Sequence, residues 1–140
     1  MHNTLASSDY GLLDENTFAP RPNYWAALLW HRLMGTTVLG PQIASTPNLY
    51  AYAHCLQKHP GGVGLLIINA DEQQVRTVTL TAEAERYTLT AKQLQDGAVQ
   101  LNGKTLQLDN EGDVPEFVGQ PTRSGRISFV AREHYVPSNS

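Results

Sequence analysis

Residues 9–39, DYGLLDENTFAPRPNYWAALLWHRLMGTTVL, decide how the rest of the chain is read. Pro20 and Pro22 stand at the start of a helix, where a missing N–H costs nothing because the first-turn donors have no intrahelical acceptor. Trp25, Leu28, Leu29 and Leu33 then recur on one face at helical spacing, with Ala26 and Arg32 off that face. Gly35 is read as the stop, since glycine accepts the left-handed conformation in which many helices end. The pattern predicts a helix over 23–34. After Thr36 the period changes to an alternation of two, the signature of strands.

Working outward, every further segment reads as strand or turn. Thr36–Leu39 is a short strand, closed by a loop punctuated with Gly40, Pro41 and Pro47. Leu49–Cys55 sets Tyr50 and Tyr52 against Leu49, Ala51 and Ala53, a strand with two unlike faces. Pro60-Gly61-Gly62 turns into Val63–Asn69, apolar enough for a central strand. Gln74–Leu80 and Arg86–Ala91 are rich in strand formers. Asn102-Gly103 lies between alternating runs, 99–101 and 104–108, and predicts a two-residue hairpin because both turn residues must reach positive φ. After a polar loop, Arg126–Arg132 is the last strand. Seven or eight short strands behind one helix predict a mainly β fold, an antiparallel sandwich or barrel. On the other side of the helix, Thr4-Leu5-Ala6 reads as a strand fragment, so the chain looks like part of something larger.

Composition narrows the function classes. The chain has 140 residues, 41% of them hydrophobic, with 13 acids against 10 bases for a net charge of −3. No basic patch with interleaved aromatics marks a nucleic-acid partner. The longest apolar run, 63–68, is too short to span a bilayer, and MHNTLASSDY lacks the parts of a signal peptide. Cys55 is the single cysteine, so no internal disulfide forms. It is read as a small buried hydrophobe on a strand. The five histidines have no His-x-x-x-His spacing and no CxxC accompanies them, so neither metal nor cofactor is expected. Phosphate-binding and nucleophile-elbow motifs are missing too. Asp14-Glu15, the adjacent acids ahead of the helix, are expected to serve its dipole. Asp71-Glu72 and Asp109–Asp113 are expected as solvated acids in turns.

The wording of particular segments carries more. Asp9-Tyr10-Gly11-Leu12-Leu13, Pro22-Asn23-Tyr24-Trp25 and the run from Ala27 to Gly35 closely resemble the heparanase-like proteins of glycoside hydrolase family 79. There an Asn-Tyr-Gly or Asn-Tyr-His triplet follows the last barrel strand. A Pro-Asp-Tyr-Tyr or Pro-Asp-Tyr-Trp opening then starts a helix that ends in Leu-Met-Gly or Leu-Val-Gly. The similarity continues in order through residues 50–55, 64–69 and 99–103. Residues 71–95 and 110–140 agree only in pattern.

The resemblance implies a layout and a function. Residues 1–35 would be the last strand, loop and helix of a (β/α)8 catalytic barrel, and residues 36–140 a C-terminal β-sandwich. The two glutamates of a retaining glycosidase acting on β-linked glucuronic acid would lie on earlier barrel strands, upstream of Met1. This chain alone is then expected to be inactive, serving as scaffold and as one edge of the substrate site. Its partners would be the upstream barrel segment and a uronic-acid glycan or glucuronide, and its place outside the cytoplasm. Loops at the C-terminal ends of barrel strands carry active-site residues, and Tyr10 matches the family tyrosine that helps hold the uronic acid. Gly11 accompanies it with a backbone N–H. Ser8 stands where the family usually has glycine, and Asp9 where it usually has asparagine, which changes the local backbone and adds a negative charge. The alternative is a free-standing carbohydrate-binding or interaction module. An exposed line of aromatic rings would favour it, whereas Trp25 and Trp30 packed on their neighbours would favour the scaffold.

Overall fold

The computed structural model describes residues 5–6, 10–40, 46–71, 73–93 and 95–129. Helix α1, Pro22–Leu33, runs for 12 residues and starts and ends one residue earlier than the sequence pattern predicts. Of the apolar stripe, Trp25 is fully buried, while Leu28, Leu29 and Leu33 are half-buried; Ala26 and Arg32 are exposed. The Trp25 indole meets Tyr24 and Phe117 edge to face, with ring centroids 5.3 and 6.3 Å away. Such contacts add to what burial of the indole alone contributes.

The expected role of Gly35 needs correction. It is not a left-handed cap but the second residue of strand β1, Met34–Leu39. The helix stops because its backbone passes directly into a sheet, where Gln57 N donates to Leu33 O at 2.9 Å and Met34 pairs with Leu56. Glycine is required at 35 for closeness, because an added Cβ would come 2.6 Å from the carbonyl oxygen of Cys55.

Three antiparallel strands form the largest sheet in the order β1-β2-β3, with β2 spanning Leu49–Leu56 and β3 Val63–Asn69. Their register sets Tyr50 opposite Ile68, Tyr52 opposite Leu66, and His54 opposite Gly64. Among the described residues β3 is therefore a flanking strand rather than a central one, and β2 holds the middle. Its apolar run reflects side chains on both faces, not neighbours on both edges; Val63, Leu65 and Ile68 stay exposed.

The remaining strands are short. They are β4 (Arg76–Leu80), β5 (Ala84–Arg86), β6 (Leu89–Thr90), β7 (Gln100–Leu101), β8 (Lys104–Thr105), β9 (Gln120–Thr122) and β10 (Gly125–Phe129). β10 pairs antiparallel with β4, β9 lies beside β5 as a two-stranded sheet, and β6-β7-β8 make an antiparallel three-stranded sheet. Among the described residues ten strands replace the expected seven or eight, because 86–91 divides in two and β9 lies in what reads as polar loop. Among the described residues the fold is mostly β, with several antiparallel sheets and no closed barrel, consistent with a β-sandwich preceded by a helix. The hairpin stands where expected, with φ of 51° at Asn102 and 81° at Gly103. The Leu5–Ala6 part of the expected first strand forms a bend, and Thr4 lies outside the described residues, as do 130–132 of the last strand.

The chain sorts into two compact units, 1–29 with 85–121, and 30–84 with 122–140. Among the described residues, Trp25, Val99 and Leu101 are the buried apolar side chains of the first, and Ala53 and Ile127 those of the second. Each core is thus assembled from segments far apart in sequence.

Candidate functional site

Tyr10 and Gly11 sit at the base of a loop that the chain ties at three levels. At the base, the Asn23 side-chain amide donates to the carbonyl oxygens of Tyr10 at 3.4 Å and Gly11 at 3.3 Å. Above it, Arg21 N donates to Leu12 O, Leu13 bridges Pro20 antiparallel, and Asp14 N donates to Ala19 O. At the tip, Asp14 Oδ1 accepts from Asn16 N, Thr17 N and the Thr17 hydroxyl at 2.9–3.0 Å, while Oδ2 lies 3.3 Å from the Arg21 guanidinium. Tyr10 is exposed at 65% and Gly11 is buried. Ser8 and Asp9 lie outside the described residues.

Asp14 therefore serves its own turn and not the helix dipole, since α1 has no acid in its first turn. Donation by the Thr17 and Asn16 backbone N–H groups, with help from the Thr17 hydroxyl and Arg21, holds its pKa down at about 2. Phe18, two residues before Pro20, takes a φ of 56°, a conformation that is an outlier for a bulky side chain. The loop tip is closely specified.

Asn23 is the residue that sequence reasoning missed. It appears in the sequence as one letter of a helix-start motif, and nothing local signals that its amide reaches back 12 and 13 residues to two carbonyls. A second feature lies at the loop tip. Asp14, Thr17 and Arg21 share a shallow cleft of about 600 Å³ with Gln95, Asp96 and Gly97 of the following turn segment. Asp96 Oδ2 accepts from Gln93 N at 3.1 Å, which orders that second wall.

The other acids are turn-formers too. Asp71 is not a solvated acid: it accepts from Gln73 N and Gln74 N and pairs with Arg76 at 2.7 Å, its side chain mostly covered. The backbone donation from Gln73 is the leading cause of its lowered pKa. Asp109 accepts from Glu111 N and Asp113 N. Among the described residues, no three His, Cys, Asp or Glu gather as metal ligands, and no helix is long and apolar enough to cross a membrane.

The aromatic rings divide. Trp25 is core, and Trp30 packs edge to face on His54 with centroids 4.9 Å apart. His54 in turn holds its Nδ1 2.7 Å from Gly35 O. Tyr50 and Tyr52, two apart on β2 and so on one face, are each about half exposed.

No family model matches the chain. It is 42% identical over 119 residues to baicalin-beta-D-glucuronidase of Scutellaria baicalensis, covering 80% of this chain and 22% of that protein. It is 37% identical over 152 residues to heparanase-like protein 1 of Arabidopsis thaliana, covering 81% and 28%. With inactive heparanase-2 of Homo sapiens the identity is 33% over 154 residues, covering 91% and 26%. The chain thus spans roughly a quarter of the length of these relatives.

Proposed function

This chain belongs to the heparanase-like proteins of glycoside hydrolase family 79 and corresponds to their C-terminal part, and we propose that it completes a retaining glycosidase acting on β-linked glucuronic acid. Residues 1–35 contribute the last strand, loop and helix of the catalytic barrel, and residues 36–140 the β-sandwich. The catalytic carboxylate pair belongs to the part of the family protein that this chain does not span.

Tyr10 and Gly11 form an edge of the substrate site. The phenol O–H and the glycine N–H donate to the uronate carboxylate, an ionised acceptor that strengthens both bonds. The observation that carries this reading is the Asn23 clamp, which fixes the two carbonyls of the Tyr10–Gly11 pair. Similarity to a protein named as a β-D-glucuronidase supports the substrate class.

The deciding experiment compares p-nitrophenyl β-glucuronide hydrolysis by the complete protein and by residues 1–140 alone. Turnover by the first with retention of configuration, and none by the second, is expected. Mutation-sensitive turnover by the 140-residue chain sinks the proposal. One observation favours the second reading, a glycan-binding module: Tyr50 and Tyr52 present half-exposed rings on one sheet face. The burial of Trp25 and the packing of Trp30 on His54 support the scaffold reading instead.

A further inference from the structure

We propose that Asn102 is a self-modification site: its amide loses ammonia to the backbone nitrogen of Gly103, and the fold holds that reaction off until the hairpin opens. The proposal concerns the chain's own chemistry and stands apart from the glycosidase reading.

Asparagine followed by glycine is the pair in which this deamidation is least hindered, because glycine has no side chain to shield its nitrogen. Among the described residues Asn16, Asn23, Asn48, Asn69 and Asn110 precede residues with side chains, and Asn102 alone precedes glycine. Gly103 is exposed at the hairpin tip, with nothing within 4 Å of the place a Cβ would take. The step needs only the chain and water. The Gly103 nitrogen gives up its proton and attacks Cγ of Asn102. The new N–Cγ bond closes a succinimide ring as the Cγ–Nδ2 bond breaks and ammonia leaves. Water then opens the ring, at Cγ to give aspartate or at the main-chain carbonyl to give isoaspartate.

In the folded chain the amide is held away from this path. Oδ1 accepts from Thr88 N at 2.8 Å, and Nδ2 donates to Arg86 O at 3.3 Å and Val118 O at 3.0 Å. Asn102 N donates to Thr88 O at 2.8 Å, so main chain and side chain are tied to the same neighbour. For Gly103 N to reach Cγ, the amide must swing back over its own main chain and give up all three side-chain bonds. The native rate is then the rate in the open hairpin multiplied by the fraction of time the hairpin is open. The product makes an opening permanent. Aspartate has no Nδ2 donor, so Arg86 O and Val118 O face a carboxylate oxygen in its place, and isoaspartate adds a carbon to the main chain of a tight turn.

The test follows the complete protein in mildly alkaline buffer, with and without unfolding guanidinium chloride, and reads the Asn102 peptide by mass spectrometry. Unfolded protein should convert it to a mixture of aspartate and isoaspartate, while peptides holding Asn48 and Asn69 stay intact. Native protein should react at least about tenfold more slowly, since only the open fraction reacts. Leu89→Ala trims the partner of Leu101 in the β6–β7 pair. It should raise the native rate severalfold and leave the unfolded rate unchanged. Wild type in denaturant below its unfolding transition should show the same rise, which keeps the test decisive where the variant does not fold. Asn102→Asp, one of the two products, should unfold at a lower denaturant midpoint than wild type. Equal rates in native and unfolded protein, or no reaction in the unfolded protein, overturn the proposal. So do a native rate indifferent to sub-denaturing guanidinium chloride and a wild-type midpoint for Asn102→Asp.

Discussion

The Asn23 side-chain amide donates to the Gly11 carbonyl across 3.3 Å, tying the first turn of α1 to the base of the loop that precedes it. The same nitrogen reaches Tyr10 O at 3.4 Å. Asn23→Ala removes both bonds and should cost about 1–2 kcal/mol of loop order. In the complete protein that loss is expected chiefly as a KM for aryl β-glucuronide raised roughly five- to thirtyfold, with kcat largely kept. Asn23→Asp, nearly isosteric but without the donor, should behave the same way. A KM unchanged in both variants would detach Asn23 from substrate positioning.

Gly35→Ala places a methyl group 2.6 Å from the backbone oxygen of Cys55, which no side-chain rotation can relieve. The sheet between β1 and β2 must part, disturbing the His54–Gly35 hydrogen bond as well. A loss of about 1–3 kcal/mol is expected in urea unfolding. Gly40→Ala, where a Cβ meets nothing within 4 Å, is the control and should stay within about 0.5 kcal/mol.

Asp14 predicts an acid limb. Its carboxyl is lowered from 3.8 to about 2 in the folded chain by the Thr17 and Asn16 N–H groups. A depressed carboxylate stabilises the fold fully above the unfolded pKa, so the contribution should be complete above pH 3.8 and be lost as pH falls toward 2. Asp14→Asn should remove that part of the pH dependence, visible as a flatter stability profile over this window. Parallel profiles for the two proteins would show that the turn does not couple to folding.

Asn102 joins the hairpin to three other segments. Its Oδ1 accepts from Thr88 N at 2.8 Å, and its Nδ2 donates to Arg86 O at 3.3 Å and Val118 O at 3.0 Å. Asn102→Gly keeps the positive φ free of strain yet deletes all three bonds. It should still cost about 1–3 kcal/mol by thermal or urea unfolding. Wild-type stability in the glycine variant would mean that asparagine is there for its turn dihedral alone.

Local rules made much of the fold legible. Helical spacing from Trp25 to Leu33 located α1 to within a residue, alternation located β2, a dense apolar run located β3, and Asn-Gly located the hairpin, because each signal is written in neighbouring residues. What failed depends on distant partners. Gly35 looks like a cap until Cys55 is known to lie against it. Asp14 looks like a helix-dipole acid until the loop folds and its turn captures it. The apolar run of β3 does not say how many neighbours it pairs with, since an edge strand can bury both faces in part. β9 was hidden in a polar segment, where pairing with β5 and not side-chain pattern makes the strand. At the site, Tyr10 and Gly11 came from wording shared with a family, whereas Asn23 and the Gln95–Asp96 wall needed coordinates, as no pattern links residues so far apart.

The alternation of the two compact units along the chain has a consequence for inheritance. One unit takes 1–29 and 85–121, and the edge-to-face contact of Trp25 with Phe117 joins its two stretches. A crossover between genes anywhere in the coding sequence for 30–84 would part the tryptophan from its ring partner. Exchange among relatives is therefore expected to preserve this region as a block inherited whole, with variation confined to substitutions and loop lengths rather than to shuffled segments.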